Sequence, residues 1–344
     1  MGKIGVGVIG VGTFGENHAR LYAQDHRTEL VGICDLDEAR ARALADELSV
    51  PFATSNAEHL VMRDDVQAVS IATPDFAHRD LAMAAAKARK HILCEKPIAT
   101  TTPEAREIVD AAQSAGVTLM VDFHNRFNPA FLQAKSVIDS GDIGKPQYLY
   151  VRLSDTIFVP TQMLSWAAKS SVAWFLGSHC VDLVRWLTGS EVTRVSARAG
   201  RRVLKARGID TADYFVTALD LADGTLAVVE NCWILGDRAP AVVDFRAEIV
   251  GSEGHINVQP FPHSVVTSAD EESFKCYDVL AVQNVHGRLT GFAIEAIRHF
   301  VSVLAGEAAL VVDGHDGLEA TRVVCAVEES ARVGSPCEIT PTWP

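Results

Sequence analysis

A glycine-rich turn near the amino terminus constrains the fold more than any other feature of this 344-residue sequence. The run Gly10-Val11-Gly12-Thr13-Phe14-Gly15 follows an apolar, β-branched segment at 3–9 and precedes a helical pattern at 15–24. Gly10 permits a tight turn, Gly12 permits close approach of a pyrophosphate, and Gly15 permits close packing of the helix on the strand. The start of that helix favours negative charge. The pattern therefore predicts a strand–turn–helix unit that binds a dinucleotide.

Asp35 refines this prediction. It ends the next predicted strand, 29–34, about 20 residues beyond the glycines, where a carboxylate accepts hydrogen bonds from the adenosine ribose and repels a 2′-phosphate. NAD is therefore favoured over NADP, although Arg40 and Arg42 keep NADP as the lesser alternative. A simple turn or helix-cap role for Asp35 also stays open, since Asp37 lies close by.

The first 125 residues alternate between strand-like and helix-like segments. Further strands are predicted at 68–73, 91–94 and 117–122, and helices at 36–48, 76–88 and from Thr102-Pro103 onward. This alternation is typical of parallel βαβ units. We predict an α/β Rossmann domain with a doubly wound parallel sheet over residues 1–125.

The pattern changes after residue 125. Asn128-Pro129 begins and Gly141 ends a predicted helix, strands are predicted at 147–153, 214–221, 225–233 and 241–250, and helices at 291–304 and 317–332. We predict that 126–344 forms an α+β domain for substrate binding and oligomerisation, built on a large, mainly antiparallel open sheet. The C-terminal helix is a candidate to pack back on the Rossmann domain.

Composition excludes several classes of partner. Lysine plus arginine number 31 against 44 aspartates and glutamates, a net charge of −13 that repels nucleic-acid phosphates and anionic lipid. The seven cysteines are scattered without a C-x-x-C pair, as is typical of a reducing compartment. No apolar run reaches about 18 residues, and we expect neither a signal peptide nor a membrane span. We expect a cytoplasmic protein with a small, neutral, polyhydroxylated substrate and no nucleic-acid or membrane partner.

Two more motifs follow predicted strands: Thr73-Pro74 within 71–78, and Glu95-Lys96-Pro97 within 91–97. With the glycine turn and the segment 177–186 around His179, they resemble the Gfo/Idh/MocA family of oxidoreductases (glucose–fructose oxidoreductase, inositol dehydrogenase) over nearly the whole chain. The resemblance implies oxidation of a secondary hydroxyl of a sugar, sugar derivative or cyclitol, and a homodimer or homotetramer. It assigns further cofactor contacts to the residues Thr73, Pro74, His78, Glu95, Lys96 and Arg126.

Lys96 is the main catalytic candidate. It lies at the carboxyl end of a predicted parallel strand, where ligands of such sheets bind, and Pro97 forces a turn there. A partly desolvated lysine has a lowered pKa, so it can exchange protons near neutral pH and take up a hydroxyl proton. The resemblance implies this acid/base role; the alternative is a surface lysine beside a loop proline.

His179 is the second candidate. On a helix that starts near Ser178, His179 and Asp182 share a face, so the Asp182 carboxylate can orient the imidazole. We predict that His179 assists Lys96. The alternative is a core histidine packed over Trp186.

One position departs from the family pattern. Many of these dehydrogenases carry an aspartate four residues before the histidine, whereas this chain has Phe175. Either Lys96 and His179 suffice, or the substrate is bound differently, or the reaction is not a simple alcohol oxidation. Two alternatives stay open: a non-redox enzyme that recycles NAD, such as one cleaving a glycoside through a keto-sugar, and a sensor that binds dinucleotide or sugar without turnover.

Other substrate contacts are predicted from residue type and position. Charged groups can hold sugar hydroxyls and an aromatic ring can cover a sugar face, although salt bridges and core packing are the alternatives. The candidates are His124, Arg126, Arg152, Asp155 and Trp166. His255 and His263 are too isolated for a zinc site, so no metal is predicted.

Overall fold

The computed structural model describes residues 2–262, 264–270 and 273–340; His263 lies outside them. The chain divides into two compact units, one formed by 1–124 with 282–318 and the other by 125–281 with 319–344. The sequence patterns predict that the first domain ends at residue 125, one residue beyond the division after residue 124. They predict residues 282–318 in the second domain, whereas these residues belong to the first unit. The first unit is therefore discontinuous along the chain.

Helices and strands form the framework of both units. Helices α1 to α10, in chain order, are Thr13–Gln24, Glu38–Glu47, Ala57–Val61, His78–Lys87, Thr102–Ala115, Pro129–Ser140, Ser178–Thr188, Val203–Ala206, Phe292–Leu304 and Gly314–Val333. Strands β1 to β17 are Ile4–Ile9, Thr28–Cys34, Ala53–Thr54, Ala68–Ile71, His91–Glu95, Leu119–Asp122, Pro146–Asp155, Val192–Gly200, Tyr214–Leu221, Leu226–Cys232, Val243–Gly251, His255–Phe261, Thr267–Ala269, Phe274–Cys276, Gln283–Val285, Arg288–Thr290 and Cys337–Glu338. Among the described residues, none of the helices has both the length and the apolar character needed to cross a membrane.

The first unit contains the predicted parallel sheet. Its strand order is β3-β2-β1-β4-β5-β6, and every neighbouring pair is parallel. All residues of β4 and β6 are buried, because helices on both faces of a parallel sheet exclude water from both sides of each strand. The adjacent strands β1, β4 and β5 end at Ile9, Ile71 and Glu95. The glycine turn, the Thr73-Pro74 loop and Lys96 therefore leave the sheet at one edge.

Helix α9 returns to the first unit after the long excursion through the second. It packs against α1, and the main chain just before it is held by Gln24, whose side chain accepts from the Leu289 amide at 3.1 Å and donates to the Gly287 carbonyl at 3.2 Å. The helical pattern at 291–304 indicates that this segment buries one face. It does not indicate which sheet or helix that face covers, because apolar side chains are not specific for a partner.

The second unit is built on a seven-stranded sheet of order β12-β11-β7-β10-β9-β8-β17. All neighbouring pairs are antiparallel except β7 and β10, so the predicted mainly antiparallel sheet is confirmed. Exposed and buried residues alternate along β9, as expected for a sheet with one covered face. Strands β8, β12 and β17 were not predicted from the sequence.

Candidate active site

The glycine turn has the geometry of a dinucleotide site. A Cβ on Gly15 would lie 1.9 Å from the Gly10 carbonyl oxygen, and Gly10 itself has a φ of 85°. These two glycines are required by the protein's own packing. A Cβ on Gly12 would instead meet nothing within 4 Å, and no side chain caps the start of α1 at this residue. The open space and the uncapped helix start fit a bound pyrophosphate.

Asp35 lies beside this turn, as predicted. Its Oδ2 accepts a hydrogen bond from the Val11 amide at 2.9 Å, and its Oδ1 accepts from the Asp37 amide at 2.9 Å. Asp37, rather than Asp35, is the N-cap of α2. Of the two arginines that favoured NADP, Arg40 lies 3.7 Å from Asp35 and Arg42 points to the Ala53 carbonyl at 3.5 Å. The carboxylate thus joins the glycine turn to the loop that follows β2.

The loop after β4 packs directly on the glycine turn. A Cβ on Gly10 would lie 2.7 Å from the Ala72 carbonyl oxygen and 2.8 Å from Thr73 Cγ2. Thr73 Oγ1 is buried and has no hydrogen-bond partner among the described residues. Because a buried hydroxyl without a partner is costly, this oxygen is suited to contact a ligand at the turn.

His78 has a structural position that differs from the predicted cofactor contact. It is 1% exposed, with Nδ1 2.7 Å from the Pro97 carbonyl oxygen and Nε2 2.8 Å from the Thr73 carbonyl oxygen. Each ring nitrogen thus lies within hydrogen-bonding distance of a main-chain carbonyl oxygen. His78 therefore ties the Thr73-Pro74 loop to the Lys96-Pro97 turn, which makes it a positioning residue.

Lys96 follows the end of β5 and is half-buried. Its ammonium group acts electrostatically on three buried neighbours, Glu95, Asp122 and His124. Burial has the largest effect on the pKa of each neighbour, and the positive charge of Lys96 lowers all three. The lysine therefore lies within electrostatic reach of several groups that can hold or release a proton.

His124 follows β6 in the first unit. Its ring stacks on Phe14 of the glycine turn, with centroids 5.9 Å apart and planes 5° apart, and contacts Phe292 at 5.6 Å. Burial, helped by the charges of Lys96 and His18, lowers the pKa of His124 to about 4. The imidazole is therefore neutral at physiological pH and can serve as a hydrogen-bonding group rather than a charge.

Glu95 does not take the predicted position of a cofactor contact. Its carboxylate is 7% exposed and lies within the sheet core, with Oε1 3.3 Å from His18 Nε2. The same ring nitrogen lies 3.6 Å from Asp122 Oδ2. This cluster was not predicted from the sequence. The signal that can reveal it is a polar residue in an otherwise apolar strand, as Ser70 is in β4 and Asp122 is in β6.

Arg126 and Asp182 form a buried ion pair in the second unit. Arg126 Nε donates to Asp182 Oδ2 at 3.0 Å, and Nη2 donates to Oδ1 at 2.6 Å. The carboxylate predicted to orient His179 is thus engaged through both oxygens by the guanidinium predicted to contact cofactor and substrate. Such a two-point pair fixes the orientation of both side chains.

Removing this carboxylate should destabilise the second unit. For Asp182→Ala we expect the free energy of unfolding to fall by about 3–5 kcal/mol, because the buried Arg126 charge loses its two-point partner. Chemical denaturation measures the change. Asp210→Ala, which removes an ion pair to Arg201 with partners 68% and 52% exposed, should cost less than about 1 kcal/mol. Equal losses in the two variants would contradict the buried-pair interpretation.

Arg152 and Asp155, both predicted to contact the substrate, lie on opposite faces of the sheet. Along β7, Leu149, Val151 and Leu153 are buried, and the alternation puts Asp155 on their face and Arg152 on the other. Arg152 lies on the open face of the sheet, where its guanidinium is 3.3 Å from Glu230 and 3.1 Å from Asp244. Asp155 is 2% exposed, on the face that packs against α7.

Aromatic rings surround Phe175, where the family's aspartate is absent. Its ring lies 6.1 Å from Trp166 in an edge-on arrangement and 5.7 Å from the fully buried Trp233. Phe175 belongs to a helical turn, Ala173–Gly177, that leads directly into α7 and His179. An aromatic cluster of this kind provides apolar contact area in place of a charge. The predicted sugar-facing residue Trp166 is half-buried within it.

Comparison with known proteins connects these sites to one family. The model of the oxidoreductase family with NAD-binding Rossmann fold matches residues 4–123, and the GFO/IDH/MocA C-terminal domain model matches 131–257. The chain belongs to the Gfo/Idh/MocA family. The resemblance inferred from the motifs is therefore confirmed, as is the NAD cofactor, and the protein is an oxidoreductase.

Individual relatives match most of the chain. A myo-inositol 2-dehydrogenase of Thermotoga maritima is 30% identical over 78% of this chain and 78% of its own. An uncharacterized oxidoreductase of Bacillus subtilis is 28% identical over 99% of this chain and 98% of its own. The crystal structure of scyllo-inositol dehydrogenase from Lactobacillus casei with NAD(H) and scyllo-inositol is 22% identical, with a TM-score of 0.83 over 98% of this chain and 99% of that one. This last likeness shows the shared fold.

Proposed function

We propose that this protein is an NAD-dependent dehydrogenase that oxidises a secondary hydroxyl of a cyclitol, sugar or sugar derivative to the ketone, and catalyses the reverse reduction. The observation that carries the proposal is the position of Lys96. It leaves the sheet at the same edge as a glycine turn with room for a pyrophosphate. The 30% identity to a myo-inositol 2-dehydrogenase supports the substrate class.

In this proposal Lys96 is the main acid/base group. During oxidation its neutral amine accepts the hydroxyl proton as the C–O bond gains double-bond character, and in the reverse direction the ammonium returns that proton. When bound, NAD supplies the acceptor for the hydride that leaves the same carbon. In the same proposal His179 assists Lys96. That Asp182 orients the imidazole of His179 stays a prediction.

The remaining residues hold the ligands. We propose that the glycine turn and Asp35 bind the dinucleotide, and that Thr73 Oγ1 adds a hydrogen bond. His124, Asp155 and His179 are the proposed hydroxyl-binding groups, with Trp166 as an apolar contact. Arg152 is left out because its guanidinium serves the ion pairs on the open face of the sheet.

The test is an assay of nicotinamide absorbance with NAD and a panel of cyclitols, aldoses, sugar alcohols and amino sugars. The proposal expects NADH formation with at least one member of the panel and ketone formation in equal amount. Absence of NADH with every member would contradict it. Product formation with catalytic NAD and no net reduction would instead support the NAD-recycling alternative that Phe175 raises.

Replacing Asp35 should change the choice of cofactor. For Asp35→Asn we expect affinity for NAD to fall at least about tenfold, because a charge-assisted hydrogen bond is worth about 1.5–3 kcal/mol. Affinity for NADP should rise relative to NAD, since the repulsion of the 2′-phosphate is removed. Calorimetric titration with both nucleotides measures this. Asp37→Asn, which changes the cap of α2 and its ion pair with Arg40, is the control, and an equal change in both variants would contradict the assignment.

We also propose a homodimer or homotetramer, as the family resemblance implies. The open face of the second sheet exposes apolar side chains on three neighbouring strands, among them Tyr148, Val216 and Leu226, each at least 40% exposed. Exposed apolar side chains on a sheet face favour association. A monomeric mass in light scattering would contradict this proposal.

A further inference from the structure

A buried polar cluster lies in the first unit beside Lys96. It contains two residues of α1, His18 and Tyr22, and one residue from each of three neighbouring strands, Ser70, Glu95 and Asp122. His18 is 0% exposed, Asp122 1% and Glu95 7%. The proposed function uses none of these side chains directly, so their presence in the core calls for an explanation.

Hydrogen bonds connect the members of the cluster into a chain. Tyr22 Oη lies 2.7 Å from Ser70 Oγ, which lies 3.0 Å from His18 Nδ1. The other ring nitrogen, Nε2, faces both carboxyl groups, at 3.3 Å from Glu95 Oε1 and 3.6 Å from Asp122 Oδ2. The imidazole is thus held from one side and presented to the two acids on the other.

Ionising both of two buried carboxyl groups that lie this close together is energetically unfavourable, so one of them keeps a proton. Burial raises the pKa of Asp122 well above its usual value, and the charge of Glu95 and a hydrogen bond to it raise the pKa further. Burial also raises the pKa of Glu95, but the hydrogen bond and charge of His18 and the charge of Lys96 outweigh this and lower it. These directions, together with the shorter distance from His18 Nε2 to Glu95 Oε1 than to Asp122 Oδ2, assign the proton to Asp122 and the charge to Glu95.

The groups that face this carboxylate come from every element around it. Tyr22 stays protonated because burial raises its pKa, and burial likewise raises the pKa of Cys94, so neither adds a charge. His124 is neutral. The charged or titratable groups around Glu95 are His18 and Tyr22 from α1, Cys94 and Lys96 from β5 and its end, and Asp122 and His124 from β6 and the turn after it.

We propose that His18 and Asp122 hold Glu95 as the single ionised carboxylate beside Lys96, and that this charge sets the proton affinity of the lysine. Desolvation alone would weaken the hold of Lys96 on a proton, whereas a neighbouring carboxylate strengthens it. With both effects acting, the half-buried Lys96 stays basic enough to accept a proton from a hydroxyl. Glu95, His18 and Asp122 are positioning residues here, and the proposal rests on the proposed role of Lys96 as acid/base.

The same three residues are the set among the described residues whose ligand atoms, all within 4.8 Å of one another, could also hold a metal ion. A metal would need both carboxylates ionised and the ring nitrogen deprotonated. An arrangement in which one of the two acids keeps its proton needs neither. Metal content is therefore one of the outcomes of the test.

The test is an NMR titration of the full-length protein, labelled with ¹³C in lysine, without NAD or substrate. The titration follows the Cε resonance of Lys96, which is assigned by its loss in Lys96→Met. For Glu95→Gln we expect the Lys96 midpoint to fall by at least about one pH unit, since removal of a charge at close range has effects of this size. His18→Gln should lower it in the same direction by less. Asp122→Asn should leave it nearly unchanged, because a neutral amide replaces a neutral acid. Asp110→Asn, on the exposed face of α5, is the matched control.

A second measurement needs no variant. In the unsubstituted protein the ¹³C carboxyl resonances should show Asp122 protonated and Glu95 ionised at neutral pH. Ionisation of both acids, or a stoichiometric divalent metal in elemental analysis, would overturn the proposal. So would a Lys96 midpoint in Glu95→Gln equal to that in Asp110→Asn. A shift of the midpoint in Asp122→Asn as large as that in Glu95→Gln would also overturn it.

Kinetics separate this inference from the proposed function. If both hold, the acid limb of the kcat/KM profile moves together with the Lys96 midpoint in Glu95→Gln. If the NMR midpoint moves while the kinetic limb stays in place, Lys96 is not the acid/base group, yet the control of its proton affinity by Glu95 stands.

Discussion

Lys96→Ala should lower kcat for alcohol oxidation by about 10²–10⁴-fold, the usual contribution of a positioned acid/base group. The loss is expected in kcat because the amine is needed only when the hydroxyl proton leaves, whereas the glycine turn and Asp35 are the proposed dinucleotide contacts. Steady-state kinetics give kcat, and calorimetry gives the affinity for NAD, which should change little. Added primary amines should restore part of the activity.

Lys87→Ala is the matched control, because Lys87 is an exposed lysine on α4 of the same unit. It should retain the activity of the unsubstituted protein. Unchanged kcat in Lys96→Ala would remove the proposed role of the lysine. A large loss of NAD affinity with unchanged kcat at saturation would show that Lys96 holds the cofactor instead.

Two alanine substitutions in the glycine turn should have opposite consequences. Gly12→Ala places its methyl group in open space, so the thermal midpoint of the apo protein should stay the same while NAD affinity falls at least tenfold, about 1.4 kcal/mol. Gly15→Ala places its methyl group 1.9 Å from the Gly10 carbonyl oxygen, so the helix must move away from the strand. We expect Gly15→Ala to lose about 1–3 kcal/mol of stability or more, with a fall of several degrees in the midpoint.

The pair distinguishes a ligand site from a packing requirement. Thermal denaturation and calorimetric NAD titration of both variants are needed. Unfolding of Gly12→Ala, or NAD binding by it as tight as in the unsubstituted protein, would contradict the assignment of Gly12 to the pyrophosphate. Retention of the full thermal midpoint by Gly15→Ala would contradict the close approach of helix to strand.

Features carried by short stretches of sequence were predictable. The glycine turn, Asp35 and the Lys96-Pro97 turn each depend on residues at fixed spacing next to a strand end, and the structure places all three at one edge of the parallel sheet. The Pro129 and Gly141 ends of α6 were equally local, since Asn128 caps the Ala130 amide and Gly141 has a φ of 81°. Backbone conformation at such positions is set by the residue itself.

Side-chain placement was less predictable where it depends on burial. Glu95 and His78 were expected at the cofactor, but one carboxylate turned to His18 and one imidazole to two main-chain carbonyls. Arg152 and Asp155 were both expected to contact the substrate, yet the strand's alternation places them on opposite faces of the sheet. A motif identifies that a residue matters at a turn, but a buried polar group goes where its hydrogen bonds are satisfied.

The sequence by itself determined the Rossmann turn, the preference for NAD and the family, because these follow from residue type and spacing within a few positions of one another. Only the tertiary structure decided that His18 meets Ser70 and Glu95 across 52 and 77 residues, and that helix α9 returns to α1 after the whole of the second sheet. Hydrophobic burial is not specific for a partner, and hydrogen bonding in the core depends on which strands become neighbours. The glycine turn indicates what is bound, and the contacts behind Lys96 became visible only once three parallel strands and one helix were brought together.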